Sequence, residues 1–304
     1  MLYGKSIRCV VDTAFCDDVY HSTHHRSHSI CLPPYFSPKP FLLPTVLMAA
    51  TPFPLLKGIK TWRTASYSAI DPSRPELSAK GKTIVVSGGG TGVGAAIVRA
   101  FAAAGASQIA IFGRRLNVLE ATKAEIEEAY PSTHVSTFIA DVTRASEVDA
   151  AFDQIGREFG KIDVFVSNSG FLSTLNNIAT SDFDDWWMSM EVNVKGALLV
   201  SRAFLRHAAK DAYLFNISSG IGHIPALPFG ISAYAVSKAA AIKLFEYIAV
   251  ENPNIHVVNI QPGVVKSDVN IKSGMPAQDH GKSETFSVRP QHRTVGAGEG
   301  RRLT

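Results

Sequence analysis

The stretch Ser87-Gly88-Gly89-Gly90-Thr91-Gly92-Val93-Gly94 decides how the chain is read. It follows Thr83-Ile84-Val85-Val86-Ser87, a run suited to a buried strand, and leads into a helix-length segment at 93–104. Glycine serves three physical ends in such a place. It allows a tight turn with positive φ, lets the backbone approach a pyrophosphate, and lets the helix pack close to the strand. The helix N-terminus then turns free N–H groups and the positive end of its dipole toward the phosphates. A glycine run alone also suits a flexible loop; its place after a strand and before a helix points to a phosphate loop.

Outward from this loop, apolar runs of five to seven residues alternate with helix-length segments. That is the pattern of βαβ units and a parallel sheet. Continuous apolar runs suit strands buried on both faces. Strands are expected at 83–87, 108–112, 134–140, 162–166, 213–217 and 255–260. Helices are expected at 93–104, 116–129, 144–159, about 181–208, and 232–250. Val148, Phe152, Ile155 and Phe159 mark the helical period of the third. The result is a single α/β domain over 61–280 with a doubly wound parallel sheet. Nine of the sixteen prolines fall in the first 80 residues, so 1–60 is expected to be a disordered extension. Residues 281–304 hold four large apolar residues and no period, so a disordered tail is expected there.

Composition narrows the function classes. With 304 residues, 46% hydrophobic and 18% charged, the chain is neither disordered nor fibrous. Three cysteines cannot staple a fold of this length. No window offers the roughly 18 uninterrupted apolar residues of a membrane span, and Pro44, Pro52 and Pro54 break up Phe41–Leu56. Neither a secretory signal nor a membrane partner is expected. The formal charge of +4 belongs to the ends, since residues 48–280 carry 21 charges of each sign. It gives no reason to invoke nucleic acid. Cys9, Cys16 and Cys31, with His21, His24, His25 and His28, lie in the first segment at spacings that match no structural zinc pair. No metal is expected. A domain without cysteine fits a reducing, cytoplasmic compartment.

The second strand ends Ile111-Phe112-Gly113-Arg114-Arg115. An acidic residue at this strand end would bind a ribose 2′-hydroxyl and favour NAD. Here Gly113 takes that place, and the Arg114 guanidinium suits a 2′-phosphate. NADP(H) is therefore favoured over NAD(H); the alternative is that Arg114 and Arg115 are a solvated helix start. Further along, Tyr234-Ala-Val-Ser-Lys238 opens the helix at 232–250. Residues at i and i+4 share a face. A tyrosine, with an ordinary pKa of about 10, is brought toward neutrality by a nearby ammonium. It could then protonate a carbonyl oxygen, or deprotonate an alcohol in reverse. Such a pair alone is common by chance. Asn216-Ile217-Ser218-Ser219 ends the fifth strand, where its hydroxyls reach the ligand-binding edge of an open sheet.

Taken together these segments resemble the short-chain dehydrogenase/reductase family over residues 81–275, about two thirds of the chain. The loop is similar to its TGxxxGxG, with Ser87 for Thr, and Tyr234 and Lys238 to its YxxxK. The resemblance implies a Rossmann-type sheet and an oxidoreductase interconverting a carbonyl and an alcohol. It implies cofactor contacts at Ser87, Gly88, Thr91, Gly92, Val93 and Gly94, at Asp141 and Val142, and at Asn168, Ser169 and Gly170. Asp141 would touch adenine; alternatively it, or Thr143, caps the next helix. Pro262, Gly263, Val265 and Ser267 would meet the nicotinamide end, as would Tyr234 and Lys238 the ribose. Ser219, rather than Ser218, would orient the substrate oxygen, and Asn193 would hold a water of the proton relay. Phe171, Leu172, His223, Phe229 and Met275 are expected to border a pocket for a small apolar carbonyl or alcohol. A homo-oligomer through 181–208 and 232–250 is also implied. The family continues after its PG stretch with another helix and a last strand, and no such pattern follows Met275. The last strand is therefore expected to be missing, the sixth strand to become an edge, and a truncated or altered C-terminus to expose the site. The alternative function is a catalytically idle chain that binds dinucleotide or pairs with subunits; an epimerase or dehydratase fits less well, because those relatives show TGxxGxxG.

Overall fold

All five residues of β1, Thr83–Ser87, are buried, because both faces of this strand carry helices. The computed structural model describes residues 67–263, 265 and 267–273. The expected extension, the tail, Met275 and all three cysteines lie outside the described residues. β1 is flanked by β2 (Gln108–Gly113) and β4 (Ile162–Ser167). β3 (His134–Ile139) lies beyond β2, and β5 (Ala208–Ile217) and β6 (His256–Ile260) lie beyond β4. The order is β3-β2-β1-β4-β5-β6, and every pairing is parallel. This is the doubly wound, Rossmann-like sheet of a single domain. Its strand order reverses between β1 and β4, the place where such sheets bind ligands.

Alternation along the strands divides the core. Ile84, Val86, Ile109 and Ile111 pack with Ile97 and Val98 of α1 (Gly92–Ala103) and Leu119 and Ile126 of α2 (Leu116–Ala129). Val85, Ala110 and Phe112 face the other way. They meet Val148 and Phe152 of α3 (Ala145–Phe159), and Phe204 and Phe245 close the same core from two later helices. Phe112, Phe152, Phe165 and Phe204 form a chain of aromatic contacts with centroids 5.3–6.3 Å apart. Burying several such rings contributes several kcal/mol each, of the order of 1.5–3 per side chain.

Three local features differ from the sequence expectation. The helix expected over 181–208 is interrupted. α4 (Phe183–Met190) passes into a π turn, Glu191–Gly196, and then into α5 (Ala197–His207). β5 begins five residues before 213, and its register against β4 shifts between Ile162 and Val164. The shift goes with Asp211, whose φ of 59° lies in the left-handed region. The polar run Lys210-Asp211 reads as a loop and hides this irregular start. A short helix after β6, α7 (Asp268–Ser273), was not expected. The long helix α6 (Ser232–Glu251) lies where its spacing predicts. Among the described residues β6 pairs with β5 alone and forms an edge. Whether a further strand follows lies outside the described residues.

Candidate active site

The carboxyl ends of β1, β4, β5 and β6 open onto one cleft of about 340 Å³. At its floor the phosphate loop turns tightly: Gly88 has φ 63° and Gly92 φ 52°. A Cβ on Gly94 would press on the Gly88 carbonyl oxygen and stand 2.6 Å from Asn168 Nδ2, so no larger residue fits. The close approach brings the first turn of α1 beside the loop, with its free N–H groups toward the cleft. Gly88, Thr91, Gly92 and Val93 line the cleft. Ser87 does not; it is fully buried, and its Oγ accepts from Asn168 N (2.9 Å) and Ser169 N (3.0 Å). Asn168 in turn donates from Nδ2 to Ser87 O at 2.9 Å and Gly88 O at 3.2 Å. Ser87 and Gly94 therefore shape the loop from behind, while Asn168, Ser169 and Gly170 both brace it and line the cleft.

Arg114 lines the same cleft beyond β2. Asp141 and Val142 do not line it among the described residues. Val142 is core, and the Cβ missing at Gly196 would lie 2.8 Å from its Cγ2. Asp141 Oδ1 accepts from Thr143 N (2.9 Å) and Thr143 Oγ1 (2.8 Å). Burial works to raise the Asp141 carboxyl, but these two bonds, with Arg114 and Arg144 near, hold it below the ordinary carboxylate range. Neither Asp141 nor Thr143 caps α3, whose N-cap is Arg144 without a side-chain bond. The donors of the loop, the helix start and Arg114 fit the phosphates of a dinucleotide.

At the other end of the cleft stand Ser218, Ser219, Tyr234 and Lys238. Tyr234 and Lys238 share a face of α6, with Lys238 Nζ 5.6 Å from the Tyr234 ring centre. Lys238 is only 6% exposed and donates to Ile217 O at 2.9 Å. Burial brings its ammonium down to about 8. Burial pushes the Tyr234 hydroxyl up to about 12, and its hydrogen bond with Ser219 opposes this only in part. This corrects the sequence argument that the ammonium lowers the phenol: in the free site desolvation wins. The bond to Tyr234 also distinguishes Ser219 from Ser218, which is buried and whose N–H donates to Ile260 O at 2.8 Å.

Asn193 lies in the π turn and is buried. Its Oδ1 accepts from Phe171 N at 2.8 Å, and its Nδ2 donates to Phe171 O (2.8 Å) and Ser237 Oγ (2.9 Å). Both amide hydrogens are thus engaged, and the side chain ties the turn at Phe171 to α6. Ser237, which sequence reasoning missed, donates to Tyr234 O at 2.9 Å. The only signal for it was its place inside the Tyr234–Lys238 stretch. Pro262, Gly263, Val265 and Ser267 line the cleft beyond β6. Ser267 Oγ also accepts from Asn270 N (3.2 Å), which caps α7. Of the expected pocket residues Leu172 lines the cleft, whereas Phe171, His223 and Phe229 do not among the described residues. A second recess of about 170 Å³ beside Thr174 and Trp186 holds Asp182 and Asp185. Both are spent on hydrogen bonds to the backbone N–H groups of Asp185 and Thr174.

Among the described residues no helix is long and apolar enough to cross a membrane, and no group of His, Cys, Asp and Glu could hold a metal ion.

The family model "short chain dehydrogenase" matches residues 82–277. The chain is 37% identical over 214 residues to the short chain dehydrogenase tazN of Aspergillus terreus, covering 67% of this chain and 45% of that protein. It is 34% identical to the short chain dehydrogenase pigC of Monascus ruber, covering 67% of this chain and 68% of the relative. The solved short chain dehydrogenase of Burkholderia cenocepacia, in complex with NADP, is similar with a TM-score of 0.58 and 29% identity, over 63% of this chain and 77% of that one. With the sheet order, the glycine loop and the tyrosine–lysine helix in place, the chain belongs to the short-chain dehydrogenase family.

Proposed function

We propose that the chain is an NADP(H)-dependent oxidoreductase that interconverts a carbonyl and an alcohol. The observation that carries this reading is the Ser219–Tyr234–Lys238 cluster at one end of a cleft whose other end holds the phosphate loop and Arg114. A bound nicotinamide would supply or take up the hydride. Ser219 and Tyr234, already hydrogen-bonded to each other, hold the substrate oxygen between them. Tyr234 donates its hydroxyl proton to that oxygen in reduction and accepts it back in oxidation. Lys238, anchored on Ile217 O, keeps a positive charge beside the phenol and reaches for ribose. Asn193 fixes the turn that faces this pair. Arg114, following Gly113 where an acid would select NAD, takes the 2′-phosphate. The NADP in the Burkholderia relative supports the same choice. Leu172, Ile231 and Val269 make the substrate end apolar.

The reading is tested with a panel of carbonyls and alcohols against NADPH and NADH. Tyr234→Phe is expected to lower turnover by at least about 10³-fold while leaving NADPH binding near that of the parent. Unchanged turnover would remove Tyr234 from its role. NADPH binding with no turnover of any substrate would favour an idle dinucleotide-binding chain. Arg114→Ala is expected to weaken NADPH more than NADH.

The reading includes a cytoplasmic location and pairing with a second copy. Phe183, Trp187 and Leu198 on α4 and α5, and Val236, Tyr247 and Val250 on α6, are large apolar side chains left exposed. Burying them against a copy of the same helices would remove that surface from water. A monomer by light scattering at micromolar concentration would refute the pairing.

A further inference from the structure

α7 crosses the mouth of the cleft. At its start Ser267 caps the helix: its Oγ accepts from Asn270 N (3.2 Å) and its carbonyl from Ile271 N (2.8 Å). Ser267 Cβ lies 3.5 Å from where a Cβ on Gly92 of the phosphate loop would be. At its far end α7 reaches the opposite wall. Lys272 Nζ donates to Leu172 O at 2.5 Å and stands 4.7 Å from the centre of the Phe171 ring. Val269 and Asn270 of α7 and Leu172 of that wall line the same cleft.

The Lys272 contact joins segments 100 residues apart. Among the described residues it pairs with a carbonyl and a ring, not with a carboxylate. Both contacts favour the ammonium specifically. A charged donor strengthens the hydrogen bond, and the ring face attracts a cation. The wall it grips is itself fixed, since Phe171 is held at both N–H and C=O by Asn193. Asn193 donates to Ser237 Oγ, and Ser237 donates to Tyr234 O. One unbroken chain of contacts thus runs from α7 to the helix that carries the acid–base tyrosine.

We propose that Lys272 is a positioning residue that clasps α7 across the cleft and so sets how tightly the bound cofactor and substrate are retained. The clasp is a property of the free chain; its kinetic consequence rests on the oxidoreductase reading. Lys272→Met keeps an unbranched stem and removes both charge and donor, whereas Lys272→Arg keeps both. In the full chain without ligand, Lys272→Met should speed amide exchange of Leu172, Ser173 and α7 by about tenfold and leave β1 unchanged. It should raise the NADPH dissociation constant, read by NADPH fluorescence, about fivefold to tenfold. It should raise KM similarly while kcat stays within about twofold. Lys272→Arg should restore parent values. Added to Phe171→Leu, Lys272→Met should cost less than it does alone, because the two share one contact. Parent-like exchange in Lys272→Met, or an equal effect of Lys272→Arg, would overturn the clasp. If no carbonyl is turned over, the oxidoreductase reading fails while amide exchange still decides the clasp.

Discussion

The two halves of the sheet are built differently. In the half made by β1, β2 and β3, α1 and α2 cover one face and α3 covers the other; Ile109 to Phe112 and all of β1 are buried. In the half made by β5 and β6, Ala212, Leu214, Asn216 and Ile217 of β5 are buried, but of β6 only Ile260 is. Tyr213, Phe215, His256 and Val258 lie on one face of β5 and β6; Tyr213 is 44% exposed and its ring stacks on His256 at 4.7 Å. Phe215 and Val258 are half-buried against the rim of the core. The phosphate loop therefore stands on a strand buried along its whole length, while Ser219 and the Pro262–Gly263 turn stand on strands that keep one face partly open. The loop rests on the covered centre of the sheet and the chemistry reaches toward its partly open edge.

The strongest way to break this contrast is to cut a ring from the covered half. Phe165→Ala removes a fully buried ring from the aromatic chain and should lower stability by about 4 kcal/mol in denaturant unfolding. Asn193→Ala acts between the halves. It strands the Phe171 N–H and carbonyl, both part-buried, and takes one donor from the Ser237 hydroxyl, which keeps its own bond to Tyr234 O, with an expected loss of about 2–3 kcal/mol and a fall in kcat. Phe215→Ala, on the open half, should cost only about 1.5 kcal/mol. A cost equal to that of Phe165→Ala would mean this surface is as well covered as the other.

The smallest effect is a pH dependence at Lys238. Its folded pKa of about 8 lies below the ordinary 10.5 of the unfolded chain. Between those values the unfolded chain binds more protons, so stability rises with pH. Below about 8 the buried ammonium is a constant cost. The melting temperature of the parent should therefore gain on that of Lys238→Met between pH 8 and pH 10, and parallel profiles would contradict the burial of this charge. Tyr234, raised to about 12, acts in the opposite sense only above pH 10.

What the sequence made legible follows the same contrast. The six strands, the glycine loop and the Tyr234–Lys238 face could be read because continuous apolar runs, glycine and i,i+4 spacing are local signals. The π turn could not, because it is set by Asn193 reaching Phe171, 22 residues away. The shifted start of β5 was hidden by its polar residues Lys210 and Asp211. α7 was too short to show a period. The direction of the Tyr234 shift was misread because burial, which dominates it, is not a property of spacing. Ser87 and Gly94 were read as cofactor contacts, but they do not line the cleft; they hold up the residues that do.

The π turn has a consequence for how this helix tolerates change. A regular helix advances by about 100° per residue, and the wide turn admits residues that a regular helix would place elsewhere. The wide turn takes up one residue more than a regular helix would over the same rotation, so Val200 and Phe204 beyond it still face the core they fill. Deleting one residue within 191–196, so that an ordinary helix ran through, would leave α5 close to its present phase. The same deletion inside Ala197–His207 would turn everything after it by roughly 100° about the axis. The irregular turn is therefore a place where the chain can lose one residue other than Asn193 and stay folded, whereas a deletion in α5 should unfold it.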